Sequence, residues 1–336
     1  MIYPQFLKQN DTIGITAPSD GVVEELDIFR LNNAIKKFEG LGYKIKETSD
    51  IRTSVKGKSA PSKVQAKELE NLFEDEETKC IICAGGGDFL LEMLPEVDFE
   101  VIKHNPKWLQ GYSDPTGLLF TITTNLDIAT IYADNFKSFG MENWHKSIEN
   151  NLKILEGDLI TQKSFEKYES TRCEKVIGSE GYNLDTEVKW ENLNNEEINV
   201  SGRMIGGCLD ILTELFGTRF DKTKDFIEKY KKDGIVWYLE NCEMTSESVI
   251  RTLWKFKDNG WFEHTNGIIF GRSALEQSSY DITFKEAVTR VLGDLNIPII
   301  FNADIGHVSP RMTIINGAIC NVISKDGKGE MTFELK

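Results

Sequence analysis

Three residues of this chain stand where apolar, β-type runs stop: Ser113 in "GYSDPT", Glu240 in "GIVWYLENCEM" and His307 in "IIFNADIGHVSP". Together they could cleave an acyl bond. A neutral imidazole takes a serine proton, and a carboxylate fixes the imidazole's tautomer and stabilises its charged form. Each residue also has an ordinary reading. Ser113 precedes a new apolar run and alone reads first as a helix cap. Pro115 suits a first helical turn and breaks the G-x-S-x-G hydrolase elbow. Glu240 alone reads as a buried ion-pair partner or cap, with Glu243 a competitor for any role. His307 alone reads as structural, beside a turn that Gly306 lets bend. The chain order serine, glutamate, histidine is that of the α/β-hydrolase triads, and only the set suggests chemistry. His104 and His145 lie in helix-like stretches and His264 before a turn, weaker positions for a base at a strand end.

A fourth strand end carries Gly85-Gly86-Gly87. Glycines let the backbone approach a ligand and aim N–H groups at an anion, or simply turn a strand into a helix. A dinucleotide fingerprint fails because Leu90 stands where the last glycine belongs, and no G-K-[ST] follows for a P-loop. After Ser113, the N–H of Asp114 is placed to donate to an oxyanion. Cys80 and Cys83 form a C-x-x-C within an apolar β-type run, where residues three apart point to opposite faces, so neither a metal nor a redox pair is expected.

The elements that must position these residues alternate. "TIGITAP", "YKIKE", "CIICA" and "WLQGYSD" read as strands, separated by helical stretches such as "LDIFRLNNAIKKFEGLG" and "SAPSKVQAKELENLFEDEET". In the second of these Val64, Leu69, Leu72 and Phe73 share one face. The βαβα pattern predicts an α/β fold with a mostly parallel N-terminal sheet. The polar stretch after residue 137 lacks clear strands, which predicts an N-terminal α/β domain over 1–150, a linker over 151–174 and a C-terminal domain over 175–336. There, "YNLDTEVKWENLNNEEINVSG" reads as loop and "MIGGCLDILTELFGT" as a glycine turn entering a helix. "GIVWYLE", "GIIFGR" and "PIIFNADIGH" read as strands, and Asn316-Gly317 and Asp326-Gly327 as turns in an antiparallel end. The second domain is thus a mixed, β-rich α/β lobe.

Composition narrows the function classes. The 336 residues carry a net charge of −15 without a basic tract, which opposes nucleic acid. No apolar run approaches the ~20 residues of a membrane helix. No export signal is read at the start, so a cytoplasmic location is expected, with the six cysteines reduced (Cys80, Cys83, Cys173, Cys208, Cys242 and Cys320) and no disulfide framework.

With these segments in order, the chain resembles the serine LD-carboxypeptidases, a family that includes the microcin C immunity peptidases. The resemblance rests on "DTIGITAPSD", "AGGGDFLLEMLPEVDF", "GYSDPT", "GRMIGGCLDILTELFGT", "WYLEN" and "NADIGHVSPRMTIINGA", and spans nearly the whole chain. It implies a Rossmann-like (flavodoxin-like) N-terminal lobe bearing Ser113 as nucleophile, and a C-terminal lobe bearing His307 as base and Glu240 as orienting acid. Domain placement would then control activity. The resemblance further implies an oxyanion hole from the N–H groups of Gly86 and Asp114, no cofactor or metal, and a homodimer. Many LD-carboxypeptidases have R-G-G-Y-G where this chain has Ala84 to Asp88, a departure that bears on muropeptide specificity. The polar insertion and "SGRMIGGCLD" are more similar to the microcin C immunity branch. There an aromatic residue packs on the nucleobase of a peptidyl or aminoacyl nucleotide, with Trp190 the candidate here, or else an anchor for its own loop. The expected substrate is therefore a small peptidyl or aminoacyl nucleotide, with a murein tetrapeptide as the alternative. A two-lobed ligand-binding protein without turnover is the competing class, and a nicotinamide or flavin enzyme a distant third.

Overall fold

Strand runs rich in Ile and Thr alternate with amphipathic helices through the first half of the chain. The computed structural model describes residues 1–171, 175–178 and 181–336. It divides into two compact units, Met1–Ile160 with Cys173–Tyr182, and Thr161–Arg172 with Asn183–Lys336. In chain order the first contains β1 (Thr12–Thr16), α1 (Glu25–Gly40), β2 (Lys44–Glu47), α2 (Ser62–Glu74), β3 (Thr78–Cys83), α3 (Phe99–His104), β4 (Trp108–Gly111), α4 (Thr116–Leu126), β5 (Thr130–Tyr132) and α5 (Lys146–Leu155).

Its five strands pair in the order β2-β1-β3-β4-β5, all parallel. That is the flavodoxin-like order, in which ligands bind beyond the carboxyl ends of the strands where the winding direction reverses. The reversal lies between β1 and β3. The loops holding Ser19, Gly86 and Ser113 follow β1, β3 and β4, so all three leave the same edge of the sheet. β1, β3 and β4 are buried on both faces, as helix-covered parallel strands require, while β2 at the sheet edge is largely exposed.

The second unit contains β6 (Gln162–Lys163), β7 (Lys167–Tyr168), β8 (Thr186–Glu187), β9 (Glu191–Asn192), β10 (Ile198–Cys208), α6 (Leu209–Leu215), α7 (Thr223–Tyr230), β11 (Ile235–Glu240), α8 (Ser246–Asn259), β12 (Thr265–Gly271), α9 (Phe284–Leu292), β13 (Ile299–Ala303), β14 (Ile314–Asn316), β15 (Ile319–Lys325) and β16 (Lys328–Glu334). Parallel β10-β11-β12-β13 form the centre of an eight-stranded sheet. Antiparallel β15, β16 and β6 extend one side and β9 the other. Asp326 and Gly327, both at positive φ, make the tight β15-β16 turn. Thr245 caps α8 and a capping box of Thr283 and Glu286 starts α9.

Three local expectations are corrected. Val64 is exposed, and Gln65 and Glu70 take the inner face of α2. Gln65 holds the Ser19 carbonyl with its side-chain amide, at 2.8 Å, so a polar residue replaces an apolar one where a loop needs a donor. Gly206 and Gly207 form no turn but lie inside β10, because a Cβ at Gly206 would meet the Tyr238 carbonyl oxygen at 1.7 Å. The polar stretch read as loop contains β8, β9 and the start of β10. Of the segment expected as linker, residues 151–155 complete α5 and β6 and β7 follow. Cys173 and its neighbours 172 and 174 lie outside the described residues. Among the described residues, no helix is long and apolar enough to cross a membrane.

Candidate active site

β4 ends at Gly111, and two residues later Ser113 adopts the left-handed region with φ +70°. A non-glycine residue pays for that conformation, and sharp strand-to-helix corners use it to lift a side chain clear of the sheet. The N-cap position of α4 falls at Pro115, so Ser113 lies outside the cap that its sequence context suggested. Its carbonyl accepts from Thr116 N–H at 2.9 Å, and its own N–H donates to the Tyr132 hydroxyl at 3.4 Å. Gly86 packs against it: a Cβ built there would lie 3.1 Å from both Cβ and Oγ of Ser113, and 3.8 Å from the Asp114 nitrogen. Among the described residues neither the Gly86 nor the Asp114 N–H has an acceptor. Two free donors beside a serine hydroxyl are what a developing oxyanion needs.

The Asp114 side chain points the other way and ties this corner together. It is 1 % exposed, and its Oδ2 accepts from the Ser19 hydroxyl and from Leu90 N–H at 2.9 Å. Burial pushes its carboxyl above the usual range, opposed by the bond from Ser19. The loops after β1, β3 and β4 thus share one carboxylate, an arrangement that no local sequence signal announces.

In the second unit Glu240, the last residue of β11, is fully buried. His307 follows β13, and its Nδ1 lies 2.8 Å from Oε2 and 3.1 Å from Oε1 of Glu240. A carboxylate only accepts, so the ring carries its proton on Nδ1 and leaves Nε2 as acceptor, the tautomer a general base requires. Gly306 makes this approach possible, since its φ is +89° and a Cβ there would sit 2.5 Å from Oε2. Glu243 is exposed, and its N–H donates to Asp210. Cys208 ends β10 directly beside Glu240 in the parallel register.

The His307 turn is held by a buried ion pair. Arg272 donates to Asp304 Oδ1 at 2.8 Å and to the Pro310 carbonyl at 3.0 Å. Arg311 donates to the Gly306 carbonyl at 2.6 Å. Burial raises the Asp304 carboxyl while Arg272 lowers it.

Profile models of two domains match the chain: the LD-carboxypeptidase N-terminal domain over residues 13–133 and the LD-carboxypeptidase C-terminal domain over residues 201–322. The chain belongs to the LD-carboxypeptidase family. It is 28% identical over 268 residues to the microcin C7 self-immunity protein MccF of Escherichia coli, covering 76% of this chain and 74% of that one. It is 23% identical over 319 residues to a Bacillus subtilis protein named "Probable murein peptide carboxypeptidase", covering 94% and 89%. Among solved structures, a variant of MccF with adenosine monophosphate matches with a TM-score of 0.85 at 24% identity, over 100% of both chains. An MccF-like protein of Bacillus anthracis matches with a TM-score of 0.80 at 23% identity, also over 100% of both. These likenesses establish the α/β fold of both lobes.

Of the two readings of Trp190, a base-stacking residue or an anchor for its own loop, its packing favours the anchor. It is 2 % exposed, its indole N–H donates to Asp304 Oδ2 at 2.9 Å, and Gly329 covers its ring, where a Cβ would fall 2.2 Å from Cε3. A ring so covered offers no face for a base, and Trp190 anchors its own loop to the His307 turn. Trp190→Phe keeps the packing but removes the N–H, and should cost about 1–2 kcal/mol in urea denaturation. It should lower turnover of nucleotide and plain peptide substrates alike; a KM rise confined to the nucleotide would restore the stacking role. Ser19 and Tyr132 around Ser113 in the first unit, and Asp304 and Arg272 around His307 in the second, escaped the sequence reading. Only the Asp in "NADIGH", at a strand end beside the histidine, could have drawn attention.

Among the described residues, Cys80, Cys83, Cys208, Cys242 and Cys320 form no disulfide. Burial pushes the Cys80 and Cys83 thiols far up, so this pair lacks the thiolate character of a redox site.

Proposed function

We propose that this member of the LD-carboxypeptidase family is a serine hydrolase in which Ser113 is the nucleophile, His307 the general base and Glu240 the group that orients it. The observation that carries the reading is the 2.8 Å bond from His307 Nδ1 to buried Glu240, which leaves Nε2 as proton acceptor. In the reaction, Ser113 Oγ attacks the substrate carbonyl as its proton passes to Nε2. The oxyanion takes the N–H groups of Gly86 and Asp114. The tetrahedral adduct collapses as the imidazolium protonates the departing nitrogen, and water, deprotonated by the same imidazole, releases the acyl group from Ser113.

The substrate we favour is a peptidyl or aminoacyl nucleotide, cleaved at an amide-type bond. MccF relatives are known in complex with adenosine monophosphate, aspartyl sulfamoyl adenosine and glutamyl sulfamoyl guanosine. A murein tetrapeptide losing its terminal D-Ala is the second reading, favoured by the Bacillus subtilis relative's name. Incubation of the wild-type protein with each substrate, followed by mass spectrometry, separates them. Cleavage of the aminoacyl nucleotide with the tetrapeptide intact supports the first reading. The reverse supports the second, and tight binding of either without any product would overturn hydrolysis in favour of a binding protein.

A further inference from the structure

The Glu240–His307 pair has a third neighbour to which hydrolysis gives no task. Parallel pairing of β10 with β11 sets Cys208 opposite Glu240, and the turn after β13 brings His307 to the same point. Ligand atoms of Cys208, Glu240 and His307 all lie within 4.8 Å of one another. The Cys208 thiol donates to Asp210 Oδ2 at 3.3 Å, and Cys208 is 2 % exposed.

We propose that Cys208, Glu240 and His307 form a binding site for a thiophilic divalent cation, Zn²⁺ foremost, and that its occupation turns the hydrolase off. One thiolate, one imidazole and one carboxylate are a ligand set for zinc, whereas Mg²⁺ and Ca²⁺ take shells of oxygen. Zinc bonds of about 2.0–2.3 Å place the ligands of one tetrahedral ion roughly 3–4 Å apart. Ligand atoms already within 4.8 Å of one another need shifts of roughly 1 Å to close on one ion. The His307 side chain, 15 % exposed, is the member of the set that meets solvent. On binding, the thiol proton leaves to solvent and Sγ, a carboxylate oxygen and a ring nitrogen each donate an electron pair, while water completes the shell. Nδ1 is the ring nitrogen that faces Glu240, and an ion bound there moves the ring proton to Nε2. The acceptor for the serine proton is then gone. The ion is an inhibitor here and not a cofactor.

The test uses the full chain and two independent readouts. Co²⁺ added to the metal-free wild-type protein should give a thiolate-to-cobalt charge-transfer band in the near ultraviolet, absent in Cys208→Ala. This readout needs no substrate and stands apart from the hydrolytic reading. Zn²⁺ should inhibit wild-type hydrolysis reversibly, with activity restored by a chelator. Cys208→Ala should retain activity and need at least about tenfold more Zn²⁺ for half inhibition. A wild-type cobalt spectrum without the thiolate band would overturn the site even if Cys208→Ala failed to fold. Equal zinc sensitivity of wild type and a folded Cys208→Ala would overturn the inhibitory role.

Discussion

Ser113→Ala lowers kcat by about 10³- to 10⁶-fold while the protein stays as stable as wild type. His307→Ala causes a loss of the same order, and the double variant loses little more, because residues that act as one unit are not additive. The stability half of this result is as informative as the kinetic half. A serine whose hydroxyl capped a helix would cost about 1 kcal/mol on truncation. Ser113 precedes the cap at Pro115 and sits at φ +70°, a conformation that alanine finds no easier than serine. Ser113→Gly goes further, relieving the strain of the left-handed backbone and raising stability by about 1 kcal/mol while abolishing turnover. Thermal or urea unfolding beside steady-state kinetics checks both signs. Near-wild-type turnover by folded Ser113→Ala would remove the serine from the chemistry.

Gly306→Ala should damage both stability and turnover through a single methyl group. The added Cβ would lie 2.5 Å from Glu240 Oε2 and 2.6 Å from its Cβ, at a φ of +89° that alanine adopts only with strain. The clash is met by a carboxylate fully buried beneath the turn. The left-handed backbone costs about 1–2 kcal/mol, and disturbing the hydrogen bond to a buried carboxylate adds about 1–3 kcal/mol. With the imidazole no longer held in one tautomer, kcat falls by about 10²- to 10⁴-fold. Glu240→Gln provides the control, since it keeps the shape and removes only the carboxylate's preference for Nδ1–H. Urea denaturation and kcat, measured on both variants, test the assignment. Wild-type turnover in Gly306→Ala would show that the Glu240–His307 bond does not serve catalysis.

Much of this arrangement is legible in the chain because strands and their ends are local features. Apolar runs such as "GIVWYLE" and "PIIFNADIGH" mark β11 and β13, and their last residues fall at the carboxyl edge of any parallel sheet they join. The same reasoning fails wherever a residue's meaning lies in what faces it. "MIGGC" looks like a turn until Tyr238 is placed against Gly206, and Trp190 reads equally as a platform or an anchor until Gly329 lies across it. Cys208 carries no signal at all until the β10-β11 register sets it beside Glu240.

The sequence by itself determined the alternation that builds a parallel sheet and the placing of Ser113, Glu240 and His307 at strand ends. Period-2 apolar patterning and turn chemistry act over a few neighbouring residues and need no partner to be read. Only the tertiary structure decided that Glu240 rather than Glu243 meets His307, that Asp114 binds three loops with one carboxylate, and that Asp304 joins Trp190 and Arg272 to the His307 turn. Those contacts join residues as many as 114 positions apart. Which side chains meet across such separations is set by strand pairing and register, and a one-residue slip would exchange every one of them.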